Sequence, residues 1–182
     1  NVQGKISVVG NTVLDNLIGV KTHYTNNVVV TIHRRENHAT LSEWFRELNQ
    51  LAKAYPNLIF TLPLHPNPNV TKHKNLLRDI NVVEPMPHND FIELLAKSKI
   101  VITDSGGLQE EASFLKKKTV VCREKTERTE ALGVFTTMCS KPHFLPLLFD
   151  KLVKNHIPVG KCPFGDGHAA EKIVDLFLEE EK

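Results

Sequence analysis

The sequence has too few cysteines, in the wrong places, to build a framework. Cys122, Cys139 and Cys162 are odd in number and widely spaced, with no C-x-x-C pattern. Neither a disulfide scaffold nor a zinc site is indicated, and reduced thiols in a cytoplasmic protein are expected. Long apolar runs are also missing. No stretch approaches the roughly 18 residues of a bilayer span, and the amino-terminal segment lacks the apolar core of a signal peptide. Charge of one sign is lacking too: 23 Lys and Arg face 21 Asp and Glu, interspersed, for a formal net charge of +2. That balance argues against a general nucleic-acid surface and against a polybasic membrane face. The one acidic run, "LEEEK" at 178–182, reads as a solvated helix end. The chain opens on Asn1 rather than Met, so we expect a further segment before it.

What is present is enough to bury one core. With 182 residues, 41% hydrophobic and 24% charged, the chain reads as a single globular domain over 1–182, or as most of one half of a larger enzyme. Short, nearly continuous apolar runs recur: "KISVV" (5–9), "VVVTIH" (28–33), "LIFTLPLH" (58–65), "NVVEP" (81–85), "IVITD" (100–104) and "TVVC" (119–122). Continuous runs of that length mark strands buried on both faces. Between them lie stretches with helical spacing: 40–54, where Leu41, Trp44, Phe45, Leu48 and Leu51 form one stripe, then 70–78, 89–97 and 107–115. Strand and helix in alternation predict right-handed crossovers and a parallel sheet. The fold class expected is α/β: a three-layer sandwich with a Rossmann-like parallel sheet and helices on both faces.

Sheets of this kind bind ligands outside the carboxyl ends of their strands. The residues that follow each predicted strand are therefore the candidates: "HRREN" (33–37), "HPNPN" (65–69), "MPHND" (86–90), "SGG" (105–107) and "REKTERTE" (123–130). In "TDSGGLQEEA" (103–112), Gly106 and Gly107 let a backbone approach a ligand closely and Ser105 offers a hydroxyl. The helix beginning there presents free N–H groups and the positive end of its dipole, which together suit a diphosphate. Glu111, one turn further on, is placed to accept from sugar hydroxyls. The same residues would equally serve as an ordinary Asp-Ser helix cap followed by solvated glutamates.

"GNTVLDNL" (10–17), "TIHRREN" (31–37), "LPLHPNPNV" (62–70), "TDSGGLQEEA" (103–112), "CREKTERTEA" (122–131) and "CPFGDGHAAEKI" (162–173) occur in an order and at separations that resemble the carboxyl-terminal half of non-hydrolysing UDP-N-acetylglucosamine 2-epimerases. The likeness spans essentially the whole chain. It implies a GT-B architecture, two Rossmann-like domains with the active site in the cleft between them, of which this chain would be the UDP-binding domain. The amino-terminal domain, with the carboxylates that move the proton at sugar C2, would lie outside these residues, and the chain alone would be inactive. The implied reaction eliminates UDP from UDP-N-acetylglucosamine to a bound 2-acetamidoglucal and adds it back with protonation on the other face. It needs no metal or nicotinamide cofactor, and "DSGG" lacks the lysine of a P-loop.

Carried over position by position, the resemblance makes His33 the histidine beside the diphosphate and Arg128 the arginine that meets substrate. Arg123 is a second phosphate ligand, since a guanidinium fork gives two charge-assisted hydrogen bonds at once. Ser105, Gly106 and Gly107 match the phosphate contacts and Glu111 the ribose ligand. Phe91 would pack on uracil with the backbone of Met86 at the base edge; without the resemblance Phe91 is a core residue of its helix. Arg34 and His65 fall where some bacterial members bind a second UDP-sugar as an activator, or they simply pack at strand ends. The partner implied is a UDP-sugar, with the full-length enzyme a homodimer. Three departures from the family pattern place the sugar in question more than the nucleotide: Lys125 for a threonine, Thr129 for the loop proline and Cys162 for an asparagine. Other readings stay open: a hydrolysing or other UDP-sugar 2-epimerase, the nucleotide domain of a GT-B glycosyltransferase, or a non-catalytic UDP-sugar-binding module.

Overall fold

The structure is a computed structural model that describes residues 3–180. Six strands, β1 (Asn27–Thr31), β2 (Ile59–Pro63), β3 (Asn81–Val83), β4 (Ser98–Thr103), β5 (Lys118–Val121) and β6 (Thr136–Met138), alternate with helices α1 (Leu41–Ala54), α2 (Pro68–Thr71), α3 (His88–Ala96), α4 (Gly106–Phe114), α5 (Leu145–Lys154) and α6 (Ala169–Glu180). All strand pairings are parallel, in the order β3-β2-β1-β4-β5-β6. The winding reverses between β1 and β4, so their carboxyl ends flank the crevice where such sheets bind ligands.

The two faces of the sheet carry separate cores. On one, Val28, Val30, Phe60, Leu62, Ile100, Ile102 and Val120 meet α1 and α5. On the other, Val101 meets α3, α4 and the short helical turn Thr12–Leu17. The three-layer expectation is met. Helix α1 shows why the sequence folds this way locally: Leu41, Trp44, Phe45, Leu48, Leu51 and Ala52 recur at helical spacing and all are buried. Each fully buried side chain of that size contributes on the order of 1.5–3 kcal/mol. The helix stops at Tyr55, directly before Pro56.

Several sequence expectations need correction. Residues 5–9 form no strand; Ile6 is 73% and Val8 96% exposed, and the run lines a groove with Ile173, Leu176 and Phe177 of α6. Apolar composition supplies a strand only where a partner supplies the ladder, and this run has none. The stretch 70–78 is divided between α2 and a single 3-10 turn, Lys74–Leu76, although Val70 and Leu77 stay buried as their spacing implied. Strand β6 and helix α5 carry no mark in the sequence pattern, and of α6 only the acidic end does. The acidic run continues α6 as far as Glu180, while Glu181 and Lys182 lie outside the described residues.

Two of the resembling motifs meet each other. The Asn11 N–H donates to the carbonyl of Phe164 at 2.8 Å. Gly10 (φ +98°) and Gly165 (φ +133°) approach so closely that a Cβ on Gly10 would lie 3.1 Å from the Gly165 Cα. Any side chain at either position would separate the two backbones. Asp15 then caps α6, its two carboxylate oxygens accepting from Ala169 N at 3.0 Å and Ala170 N at 2.7 Å.

Candidate functional site

The crevice is organised by a buried carboxylate that the sequence reading passed over. Asp104, directly after β4, is 0% exposed. Its Oδ2 accepts from the backbone N–H of His33 at 3.0 Å, from that of Arg34 at 2.8 Å, and from Asn37 Nδ2 at 3.0 Å. The amide of Asn37 also donates to the Cys122 carbonyl at 2.9 Å, tying in the end of β5. A single side chain thus aims the loop after β1 at the loop after β4, because one carboxylate oxygen gathers three N–H donors from that loop, while the other, Oδ1, is buried without a partner.

Helix α4 starts at the same place. The Ser105 hydroxyl accepts from Leu108 N at 3.5 Å, so it caps the helix. Gly106 is buried and Gly107 exposed. A Cβ on Gly106 would stand 2.7 Å from Glu127 Oε1 and 3.6 Å from guanidinium atoms of both Arg128 and Arg34, whereas nothing lies within 4 Å of one on Gly107. Cationic side chains from two different loops therefore converge over the helix N-terminus, where the dipole and free N–H groups already favour an anion.

The cations are joined by carboxylates. Arg123 donates from Nε to Glu36 Oε1 at 2.6 Å and from a terminal nitrogen to Glu127 Oε2 at 2.9 Å. Arg128 is 3.0 Å from Glu127 Oε1 and donates through Nε to Glu110 Oε1 at 2.7 Å. Asn11 of the amino-terminal motif donates to the other oxygen of Glu110. The loop 123–130 is fastened to α4 by Thr126, whose hydroxyl donates to Gln109 Oε1 at 2.9 Å. Glu110, Glu127 and Asn11 were not singled out from the sequence; the carboxylate inside "TERTE" was the available signal, since an acid between two candidate phosphate-binding arginines needs a partner.

His33 stacks on His65 with ring centroids 4.8 Å apart and planes 18° from parallel. Burial first, then the nearby His65, Arg34 and His38, hold the His33 pKa below its ordinary value against the pull of Asp104, so the ring is neutral at neutral pH. On α4, Glu111 is 7% exposed and 3.6 Å from His88 at the start of α3. Burial raises its pKa and the adjacent Glu110 adds to this, while His88 opposes. Phe91 is half-buried against the core under α3, and Met86 lies half-buried just before that helix. The structure thus brings His33, Arg34, Ser105, Gly106, Arg123 and Arg128 into one rim, with His65 stacked on His33 and Glu111 beside His88 of α3; Met86 and Phe91 follow β3, on the α3 side of the sheet. Among the described residues no group of His, Cys, Asp and Glu is set to hold a metal ion, and no helix is long and apolar enough to cross a membrane.

Comparisons with known proteins bear on the fold and the family. The family model described as UDP-N-acetylglucosamine 2-epimerase matches residues 1–178. A UDP-N-acetylglucosamine 2-epimerase of Neisseria meningitidis serogroup A is 36% identical over 164 residues, covering 84% of this chain and 44% of the relative. A crystal structure of the N. meningitidis enzyme bound to UDP-GlcNAc superposes with a TM-score of 0.80 at 30% identity, over 94% of this chain and 54% of that one. The S. aureus MnaA protein solved with UDP superposes with a TM-score of 0.82 at 28% identity, over 97% and 55%. The chain spans about half the length of the relatives it matches. With its parallel sheet, its anion-seeking helix terminus and its arginine-bearing loop in one frame, the chain belongs to the UDP-N-acetylglucosamine 2-epimerase family.

Proposed function

We propose that this chain is the nucleotide-binding half of an enzyme that interconverts UDP-N-acetylglucosamine and UDP-N-acetylmannosamine. The observation that carries the reading is the convergence of Arg34, Arg123 and Arg128 on the N-terminus of α4 at Gly106, at the crossover point of the sheet. A diphosphate fits there: backbone N–H groups of α4 and the guanidinium forks meet its oxygens. Glu111 accepts from the ribose hydroxyls, and Phe91 with the Met86 backbone receives the uracil.

In this reading the C1–O bond of the substrate breaks as a proton leaves C2, giving UDP and 2-acetamidoglucal; UDP then adds back at C1 while a proton returns to the other face of C2. The neutral His33 ring donates to the diphosphate oxygens as their charge grows, and Arg128 supports the same charge, so both act more on the transition state than on the bound substrate. Proton transfer at C2 falls to carboxylates of the other half of a GT-B pair, and the complete enzyme is a homodimer. Arg34 lies close enough to Gly106 to serve the diphosphate, while His65, exposed and stacked on His33, is the contact offered to a second, activating UDP-sugar.

The test is calorimetric titration of this chain with UDP, paired with NMR of UDP-N-acetylglucosamine in deuterated water. UDP is expected to bind and the C2 proton to remain unexchanged. Absence of UDP binding by the folded chain overturns the nucleotide reading, and C2 exchange overturns the division of labour. UDP release by the complete enzyme only when a sugar acceptor is supplied would instead identify a glycosyltransferase.

A further inference from the structure

The loop 123–130 carries an acid where a phosphate ligand's own charge would go. The Glu127 carboxylate spans the two arginines, one oxygen on Arg123 at 2.9 Å and the other on Arg128 at 3.0 Å, and that second oxygen lies 2.7 Å from the Cβ position of Gly106 at the start of α4. Two guanidinium groups, a helix N-terminus and a two-oxygen anion between them reproduce the contacts of a bound phosphoryl group. Glu127 is otherwise unneeded: its side chain is 45% exposed, and the loop is already fastened through Thr126 and through the Arg128–Glu110 pair.

We propose that Glu127 is a built-in anion that competes with the ligand's diphosphate for Arg123, Arg128 and the α4 terminus, and swings out when a phosphoryl group takes its place. This rests on the reading of the rim as a diphosphate site and adds to it how that site is kept in order between ligands. Two arginines facing one anion position repel each other; a carboxylate between them holds both forks in the geometry the phosphate requires. The ligand then meets formed contacts at the cost of displacing one weakly held side chain. Glu36 keeps Arg123, and Glu110 keeps Arg128, during the exchange.

The electrostatics of the side chain agree. A hydrogen bond from its own backbone N–H, with Arg123 and Arg128, holds the Glu127 carboxyl below the ordinary range against the opposing effect of burial. Released beside a phosphate, it loses both cations and gains an anionic neighbour, so its pKa must rise.

Wild type, Glu127→Gln and Glu127→Ala are titrated with UDP and with inorganic pyrophosphate, with melting curves to verify the fold. A carboxylate that holds the position about nine-tenths of the time weakens apparent affinity about tenfold. Both variants are therefore expected to bind both probes about tenfold more tightly. Removing a negative charge tightens anion binding even without a contest for the position, so a second measurement separates the two cases. The Glu127 side-chain carboxyl, followed by carbon-13 NMR against pH, is expected to titrate below the ordinary value before pyrophosphate is added and at or above it at saturation. Unchanged or weaker binding in folded variants overturns the proposal, and so does a carboxyl that stays depressed with pyrophosphate bound. Pyrophosphate bound more tightly by the variants while UDP binds none of the three proteins would support the proposal and defeat the nucleotide reading. UDP bound equally by all three would do the reverse, and binding of neither probe by any of them defeats both.

Discussion

Asp104 and Lys117 are both 0% exposed, at opposite ends of the sheet, and the protein treats them differently. Asp104, at the carboxyl end of β4, has three N–H partners on one oxygen. Lys117, directly before β5, has the His23 carbonyl and the face of Tyr24, 4.1 Å from its ammonium to the ring centroid. Burial lowers the Lys117 pKa to about 7. A buried polar group is tolerated at either end, but only at the ligand-binding end does it gather donors from a loop that needs positioning, through one oxygen while the other has no partner. The difference separates a charge that organises a site from one that the fold merely accommodates.

Asp104→Ala gives the largest effect expected from this contrast. Losing a buried acceptor that leaves three donors unpaired should lower stability by roughly 3–5 kcal/mol and free the loop after β1, weakening UDP binding as well. Urea unfolding checks it; a loss below about 1 kcal/mol would place Asp104 beside Lys117 as a passive charge. Next comes His33, which Asp104 holds through its backbone. In the complete enzyme, His33→Ala should reduce turnover by about a hundredfold with little change in UDP affinity, the usual loss for one preorganised donor. Near-normal turnover in the folded variant would leave His33 a strand-end residue only.

Glu111→Ala should weaken UDP about tenfold, roughly 1.4 kcal/mol, and leave inorganic pyrophosphate unaffected, because what is lost is an acceptor for ribose hydroxyls. Equal weakening of both ligands would reject that role. The remaining effect belongs to the other end of the sheet and is the one that varies with pH. Lys117 resists protonation in the folded chain, so its contribution is complete above pH 10.5, declines as pH falls to about 7 and is constant below. Lys117→Met should therefore gain steadily on wild type as pH falls across that window, since only the wild type has a group there whose protonation folding opposes. A difference that does not vary with pH between 10 and 7 would mean the ammonium is solvated after all.

The fold was legible wherever burial on both faces dictated composition. The central strands are Val- and Ile-rich because nothing else fits between two helical layers, and the stripe on α1 announced itself at residues 41–51. Edge strand β6, "TTM", carries no such mark; two threonines and a methionine could sit in any loop. The opposite error, residues 5–9, came from the same rule, since apolar content does not say whether a ladder partner is present. At the site, the side chains expected to meet ligand were readable because chemistry limits the choices for a phosphate or a ribose. Asp104, Glu110 and Asn11 were not, because each acts on another protein group across a long sequence separation: Asp104 lies 71 residues from His33, and Asn11 lies 99 from Glu110.

The cap that Asp15 places on α6 spans 154 sequence positions. Topologically, this contact closes residues 15–170 into a circuit. Helix α6 has its first turn satisfied by a residue from the start of the domain, so its order depends on the turn at Thr12–Leu17. Clipping α6 should then surface as lost cooperativity throughout the domain and not as local fraying. During synthesis, α6 would find its capping carboxylate already made, in a segment translated 154 residues before it.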